Sequence, residues 1–264
     1  MSVAPAFEKA RADDRAALVG YLPAGFPSVD GAIEAMRAMV ASGCDVIEVG
    51  LPYSDPVMDG PTIQAAAQRA LDRGVRTRDV LRTVEAVAAT GTPTLVMTYW
   101  NPVERWGVDK FAADLANAGG AGLITPDLTP DSAEDWIAAA DEHDLDKVFL
   151  VAPSSTDARI AMTTAACRGF VYATAVMGVT GARESTSDLA APLVARARST
   201  TDLPVAVGLG VGNGRQAAAV AAYADGVIVG SAFVRTLLDH PDDRAAGLRA
   251  LTALTEDLAG GVRA

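Results

Sequence analysis

Short apolar runs alternate with alanine-rich amphipathic segments along nearly the whole chain. The apolar runs are continuous, which is typical of parallel strands buried on both faces. Eight are predicted as strands: Leu18–Leu22, Val46–Leu51, Thr94–Thr98, Gly122–Thr125, Val148–Ala152, Phe170–Val176, Val205–Leu209 and Gly226–Val229. Helical spacing predicts helices at Gly31–Ala41, Ile63–Leu71, Asp79–Ala88, Phe111–Ala118, Ala133–Glu142, Ala158–Ala166, Asp188–Arg198, Gln216–Tyr223, Ser231–Leu238 and Arg244–Leu258.

Eight strand–helix units in 264 residues predict an α/β fold. A closed (β/α)8 TIM barrel accounts for them better than an open sheet. No linker, charge block or low-complexity tract interrupts the pattern, so residues 1–264 are expected to form a single TIM-barrel domain. Such barrels carry their chemistry on the loops that follow the strands, and candidate functional residues are therefore expected at strand C-terminal ends.

The composition restricts the expected partners. The net charge is −11, and an acidic surface repels both nucleic acid and anionic membranes. No apolar run approaches the roughly 20 residues that span a bilayer, and the N-terminal residues lack the pattern of a signal peptide. Cys44 and Cys167 form no CxxC motif, which disfavours a disulfide framework or a zinc site. These features predict a cytoplasmic protein.

A glutamate interrupts the second predicted strand. Glu48 lies within the stretch IEVGLPYSDPVMDGP, residues 47–61, and a carboxylate in an apolar segment is costly unless it is used or paired. Alternate residues of a barrel strand point inward, so Glu48 would face the barrel mouth while Ile47 and Val49 face the helices. Apolar walls would raise its pKa and suit it to acid–base catalysis. The alternative is a structural ion pair, but none of the strands predicted before Leu209 contains a basic residue.

Other residues at predicted strand ends allow two interpretations each. Asp59 is either a functional carboxylate or a turn residue. It precedes Gly-Pro, a common turn signal, so the sequence favours neither interpretation. Tyr21, Tyr99 and Tyr172 lie in or at the ends of strands, where they would either line an aromatic pocket or pack in the core. The two histidines lie away from the strand ends, and neither a nucleophile–histidine arrangement nor a metal-ligand cluster is evident, so triad and metal chemistry are not expected.

Two glycine-rich segments follow the last two strands. VGLGVGNG (207–214) follows the seventh strand, and VGSAFV (229–234) follows the eighth and opens a short predicted helix. Glycines let backbone N–H groups approach a ligand, and a helix N-terminus favours an anion. These loops form the recurring phosphate site of TIM barrels. Neutral backbone donors would hold a phosphate despite the acidic composition, whereas the alternative is that the glycines only form tight turns.

The motifs IEVGLPYSDPVMDGP, MTYWNP, PDL, GVTG, VGLGVG and ADGVIVGSA occur in this order. Over nearly its whole length the sequence resembles the tryptophan synthase alpha subunits. The resemblance implies a carbon–carbon lyase of tryptophan biosynthesis, which cleaves indole-3-glycerol phosphate to indole and glyceraldehyde 3-phosphate by a retro-aldol reaction without a cofactor or metal.

The resemblance also implies roles for individual residues. Glu48 would move the protons at indole C3 and at the side-chain hydroxyl, Asp59 would accept a hydrogen bond from the indole N–H, and Tyr172 would lie beside the substrate. The expected substrate-binding residues are Tyr21 and Tyr99 at the indole, Thr180 closing over the substrate, and Gly181, Gly210, Gly230 and Ser231 at the phosphate.

The family implies a partner, the beta subunit of an α2β2 heterotetramer, which takes up indole and joins it to serine using its own pyridoxal phosphate. Asp55 and Pro56 match loop positions that communicate with that subunit. Two departures from the family pattern are the apolar segment Ala173–Met177 and Gly212, where several relatives carry serine.

Three other functions are compatible with parts of this pattern. A stand-alone lyase would release free indole for secondary metabolism, and the sequence does not separate it from the alpha subunit. A sugar-phosphate isomerase or epimerase would need its acid–base pair across a sugar carbon, which the acidic motif disfavours. A catalytically inactive subunit that only activates a partner is disfavoured because both Glu48 and Asp59 are present.

Overall fold

The computed structural model describes residues 1–174 and 187–264, and it forms a parallel β-barrel surrounded by helices. Its strands are β1 (Ala17–Pro23), β2 (Val46–Gly50), β3 (Thr94–Met97), β4 (Gly122–Ile124), β5 (Asp146–Val148), β6 (Leu150–Val151), β7 (Val171–Thr174), β8 (Val205–Gly208) and β9 (Gly226–Val229). The strand order is β5-β4-β3-β2-β1-β9-β8-β7-β6, and all neighbouring pairs are parallel.

The two edge strands of this sheet are consecutive in sequence. Only Phe149 separates β5 from β6, and the Tyr172 N–H donates to the Phe149 carbonyl at 3.2 Å. The two strands are therefore parts of one barrel strand, which pairs with β4 through its first half and with β7 through its second. The predicted eight-stranded TIM barrel is confirmed, with β8 and β9 as its seventh and eighth strands.

Helices surround the barrel, and all of the described helices except the first come after the first strand. They are α1 (Ala4–Ala12), α2 (Val29–Ala41), α3 (Pro61–Asp72), α4 (Thr77–Ala88), α5 (Trp100–Trp106), α6 (Val108–Asn117), α7 (Glu134–Glu142), α8 (Asp157–Ala166), α9 (Ser187–Arg198), α10 (Gly214–Ala221), α11 (Ser231–Leu238) and α12 (Arg244–Gly261). Side-chain caps fix several of their starts, because Ser28, Thr156 and Asn213 accept N–H groups of the first turns of α2, α8 and α10. The periodicity does not predict α1 or α5.

The first helix closes the N-terminal end of the barrel. Phe7 of α1 packs inside the barrel, with its ring 5.3 Å from that of Phe170. The unexposed carboxylate of Asp146 anchors the segment before α1, because it accepts the Val3 N–H at 2.8 Å and the Ser2 hydroxyl at 3.0 Å. The opposite end of the barrel, where the strands terminate, stays available for a site.

The fifth barrel strand begins earlier than predicted, at Asp146 rather than Val148. It therefore contains Lys147, so the expectation that these strands carry no basic residue is wrong. The Lys147 ammonium pairs with Asp141 of α7, outside the barrel, and it gives Glu48 no cationic partner. Among the described residues, no helix combines the length and the apolar character needed to cross a membrane.

Candidate active site

Glu48 lies inside the barrel, as the alternation along β2 predicts. Its side chain is fully buried and lines a cavity at the C-terminal ends of the strands, while Ile47 and Val49 pack in the outer core. Within the described part of the chain, neither carboxylate oxygen has a hydrogen-bond partner. Burial raises the pKa of Glu48 to about 8, so at neutral pH it is mostly a neutral carboxylic acid.

Asp59 faces the same cavity from the loop that follows β2. Its Oδ1 accepts the Tyr99 hydroxyl at 3.1 Å, and that hydroxyl in turn accepts the Met58 N–H at 3.0 Å. Burial raises the pKa of Asp59, while the hydrogen bond from Tyr99 lowers it. Asp59 also precedes Gly60, the N-cap residue of α3, so it is at once a turn residue and a residue of the cavity.

Two tyrosines enter the cavity across glycines of neighbouring strands. A Cβ atom on Gly50 of β2 would lie 2.3 Å from the Tyr21 hydroxyl oxygen, and one on Gly208 of β8 would lie 2.4 Å from that of Tyr172. Any larger residue at either glycine would displace the phenol. Tyr99 also lines the cavity, so the three tyrosines together form an aromatic wall.

The glycine-rich loops border the cavity on its β8–β9 side. Gly210 has a φ of +81°, a conformation that L-residues with a side chain rarely adopt. Gly230 immediately precedes α11, and Ser231 is its first residue; all three line the cavity. The first turn of α11, whose N–H groups have no acceptor within the helix itself, therefore begins at this side of the cavity. Gly212 contributes less, because its N–H donates to the Gln216 side chain at 2.7 Å.

Sequence reasoning missed the apolar wall of the cavity. Its largest aliphatic members are Leu51, Met58, Ile63, Met97, Leu150, Leu209 and Ile228. Ordinary hydrophobic residues carry no chemical signature, and only the inward alternation of strand positions distinguishes Met97 and Leu150 from residues of the core. The glycines under the tyrosines were missed as well, although a glycine inside an apolar strand signals the close approach of another group.

Some predicted residues are not part of the described cavity lining. Thr180 and Gly181, together with the end of the apolar segment Ala173–Met177, are outside the described residues. Asp55 is exposed on the loop between β2 and α3, next to the half-buried Pro56. His143 follows α7 and His240 follows α11, and neither lines the cavity. Within residues 1–174 and 187–264, no group of three His, Cys, Asp or Glu side chains could hold a metal ion.

The cavity therefore combines three environments. A flat aromatic and apolar centre suits a heteroaromatic ring, the neutral Glu48 carboxyl and the Asp59 carboxylate suit proton transfer next to that ring, and the glycine loops with the α11 N-terminus suit an anion. An aromatic ring that carries an anionic side chain would complement all three environments.

The sequence matches known proteins over almost its whole length. The family model described as tryptophan synthase alpha chain matches residues 7–263. The tryptophan synthase alpha chain of Salinispora arenicola is 65% identical over 258 residues, 98% of this chain and 96% of the relative. A solved structure of Mycobacterium tuberculosis tryptophan synthase superposes with a TM-score of 0.93 at 58% identity and covers 99% of this chain and 98% of that one. The alpha chain from Legionella pneumophila has a TM-score of 0.88 at 30% identity, over 99% and 97% of the two chains.

Proposed function

Because the chain belongs to the tryptophan synthase alpha chain family, whose members cleave indole-3-glycerol phosphate to indole and glyceraldehyde 3-phosphate, we propose that Glu48, Asp59 and Tyr172 form its catalytic centre. The observation that carries the assignment is the Glu48 carboxyl, which is fully buried in the cavity wall without a hydrogen-bond partner among the described residues. Burying a carboxyl group without a hydrogen-bond partner is energetically unfavourable, and its raised pKa suits it to exchange protons with a substrate.

Glu48 acts first as an acid and then as a base. With its pKa raised by burial to about 8, it holds a proton at neutral pH and transfers it to indole C3. The resulting carboxylate then removes the proton of the hydroxyl next to the ring. As that oxygen becomes a carbonyl, the bond to C3 breaks and its electron pair returns to the ring. Glu48 ends the cycle protonated, so protons balance.

Asp59 stabilises the charge that develops on the ring. Protonation at C3 makes the indole cationic, and its N–H then donates to the Asp59 carboxylate. The Tyr99 hydroxyl fixes one oxygen of that carboxylate at 3.1 Å and leaves the other for the substrate. The two carboxyl groups serve different roles because one is fully buried and unpaired and the other is half-buried and hydrogen-bonded.

The remaining contacts hold the two ends of the substrate. Tyr21 and Tyr99 contact the indole, and Tyr172 lies beside the side chain that is cleaved. Gly210, Gly230 and Ser231 supply backbone and hydroxyl donors to the phosphate, supported by their position at the cavity and at the start of α11. Thr180 and Gly181 complete the enclosure in this proposal, as the family resemblance implies.

The partner in this proposal is the tryptophan synthase beta subunit, in an α2β2 complex. Asp55 and Pro56, on the loop that carries Asp59, form part of the contact surface. This arrangement would deliver indole to the beta subunit, and the comparisons give the stand-alone release of indole no support. A cytoplasmic location is consistent with Cys44 and Cys167, which are both free thiols.

Quantifying both products tests the function directly. The chain, alone and with a beta subunit, is incubated with indole-3-glycerol phosphate, and indole and glyceraldehyde 3-phosphate are measured. Equal amounts of the two products are expected. Substrate consumption without indole would support a sugar-phosphate isomerase or epimerase instead, and no consumption under either condition would support a subunit that only activates its partner.

A further inference from the structure

The hydroxyl group of Tyr21 has no hydrogen-bond partner in the described parts of the chain, although its ring lines the cavity. Tyr21 on β1 and Glu48 on β2 are directly paired in register. The phenol leans over β2, because its oxygen occupies the space above Gly50, two residues beyond Glu48 on the same inward face. The Tyr21 phenol oxygen, without a partner among the described residues, therefore lies above the strand that carries Glu48.

Tyr172 provides the contrast. Its hydroxyl lies above Gly208, two residues before Gly210 and therefore on the side of the glycine loops. The ring of Tyr21 passes Gly230, whose added Cβ would lie 3.2 Å from the Tyr21 ring, and continues away from it toward β2. The two phenol oxygens thus lie over different strands, that of Tyr172 over β8 and that of Tyr21 over β2, the strand that carries Glu48.

We propose that the Tyr21 hydroxyl donates a hydrogen bond to the substrate oxygen that Glu48 deprotonates, in addition to the contact of its ring with the indole. The inference rests on the proposed function. Of the substrate groups at this end, the indole N–H is bound by Asp59 and C3 receives the Glu48 proton. The reacting oxygen has Glu48 as a base, but no donor has been assigned to the negative charge that develops on it.

The chemistry of the step calls for a neutral donor. As the hydroxyl proton passes to the Glu48 carboxylate and the C–C bond breaks, the oxygen carries alkoxide character before it becomes the aldehyde carbonyl. A donor aimed at that oxygen stabilises the transition state more than the bound substrate. Tyr21 keeps its own proton throughout, because burial raises its pKa well above 10, and the charges of Asp59 and Glu48 raise it further.

Replacement of Tyr21 by phenylalanine isolates the hydroxyl from the ring. For Y21F we expect kcat to fall on the order of 100-fold, the effect typical of losing one such donor. The dissociation constant of an indole-3-alkyl phosphate without hydroxyl groups should stay unchanged, because that probe contacts only the ring and the phosphate site. Y223F is the matched control: it removes a buried, unpaired phenol oxygen near Ala224 and Ala264, outside the cavity, and should retain wild-type kcat.

Each other outcome overturns the inference. An unchanged kcat in Y21F would mean that the hydroxyl plays no part in the reaction. A fall in kcat accompanied by an equal weakening of the hydroxyl-free probe would mean that the phenol acts through packing of the indole wall. If the wild-type chain releases no indole, the proposed function itself is refuted. If the wild type releases indole and Y21F is unchanged, only the Tyr21 assignment fails.

Discussion

Glu48 shows how a single residue couples folding to chemistry. Its pKa rises from 4.5 to about 8 on burial, and each unit corresponds to about 1.4 kcal/mol between the protonated and ionised forms. Ionised Glu48 therefore costs the folded state up to about 5 kcal/mol relative to the unfolded chain, as an upper bound. The fold tolerates the residue because it stays protonated, and the protonated form is the one that can donate to indole C3.

The pH dependence of the reaction follows from this pKa. In the proposed mechanism Glu48 begins the cycle protonated, so kcat/KM should be highest below about pH 8 and should fall as pH rises through that value. The measurement is a kcat/KM profile for indole release between pH 6 and pH 10, at constant ionic strength. A rate that instead rises through this range would mean that the ionised carboxylate starts the reaction.

The position of Glu48 was predictable from sequence, but its surroundings were not. Period-two alternation alone places it inside the barrel, and its neighbours Ile47 and Val49 outside. The hydrogen bond between Tyr99 and Asp59 joins residues 40 positions apart and depends on how the loop after β2 folds back. The directions of the Tyr21 and Tyr172 side chains likewise depend on a glycine in the adjacent strand. Which residues lie opposite each other is set by the register of the strands, and the sequence alone does not give that register.

At the scale of elements, strongly apolar segments were predictable and short helices stabilised by tertiary contacts were not. Of α1, only Phe7 and Ala10 are buried, so no helical period marks it, and it is held by Asp146 and the barrel interior. For α5, only Val103 is buried, and the Asp127 carboxylate accepts the Trp100 N–H at the helix start at 2.9 Å. Both helices depend on residues that are distant in sequence.

The turn after β8 permits a test of the phosphate site. Gly210 and Gly74 share a φ of +81°, and neither has an atom within 4 Å of an added Cβ. G210A and G74A therefore impose similar backbone strain, about 1–2 kcal/mol, at two different places. We expect G210A alone to weaken inhibition by inorganic phosphate and by glyceraldehyde 3-phosphate, because it shifts the donors of the loop.

Inhibition constants for both compounds, compared with the wild type, check this expectation. Equal weakening in G210A and G74A would indicate a general effect of strain. Unchanged constants in G210A would place the phosphate outside the β8–β9 loops.

At the scale of the whole molecule, an acidic protein binds an anionic substrate. The net charge of −11 opposes the approach of a phosphate, and the described lining of the cavity contains no lysine or arginine. In the proposed site, glycine loops and a helix N-terminus bind the phosphate instead. The barrel separates tasks between its ends: α1 closes one end, and the strand termini with their loops hold the site at the other.

The loop between β2 and α3 links the site to the proposed partner surface, since it carries both Asp55 and Asp59. If the beta subunit favours the loop arrangement that also favours substrate, each ligand must strengthen binding of the other by the same factor. We expect the hydroxyl-free indole-3-alkyl phosphate to tighten the alpha–beta interaction about 5- to 150-fold, the usual range of such coupling. Isothermal titration with and without the probe measures it, and equal affinities would show that the loop does not couple the sites.

A test of E48Q activity needs a check that the variant is folded. The raised pKa of Glu48 provides one, because it predicts how the stabilities of E48Q and the wild type differ with pH. The stability contributed by a group with a raised folded-state pKa is present below its unfolded pKa, 4.5, and is lost as pH rises toward about 8. Glutamine does not titrate, so E48Q should become progressively more stable than the wild type across this interval. Denaturant unfolding at several pH values measures the difference.

The rate of indole release by E48Q at saturating indole-3-glycerol phosphate tests the central claim, that the buried Glu48 carboxyl transfers the protons of the reaction. Loss of an acid–base group typically costs about 10²–10⁴ in rate, and we expect a loss of that size in a variant that is folded and still binds inorganic phosphate. Turnover at the wild-type rate by folded E48Q would contradict the account.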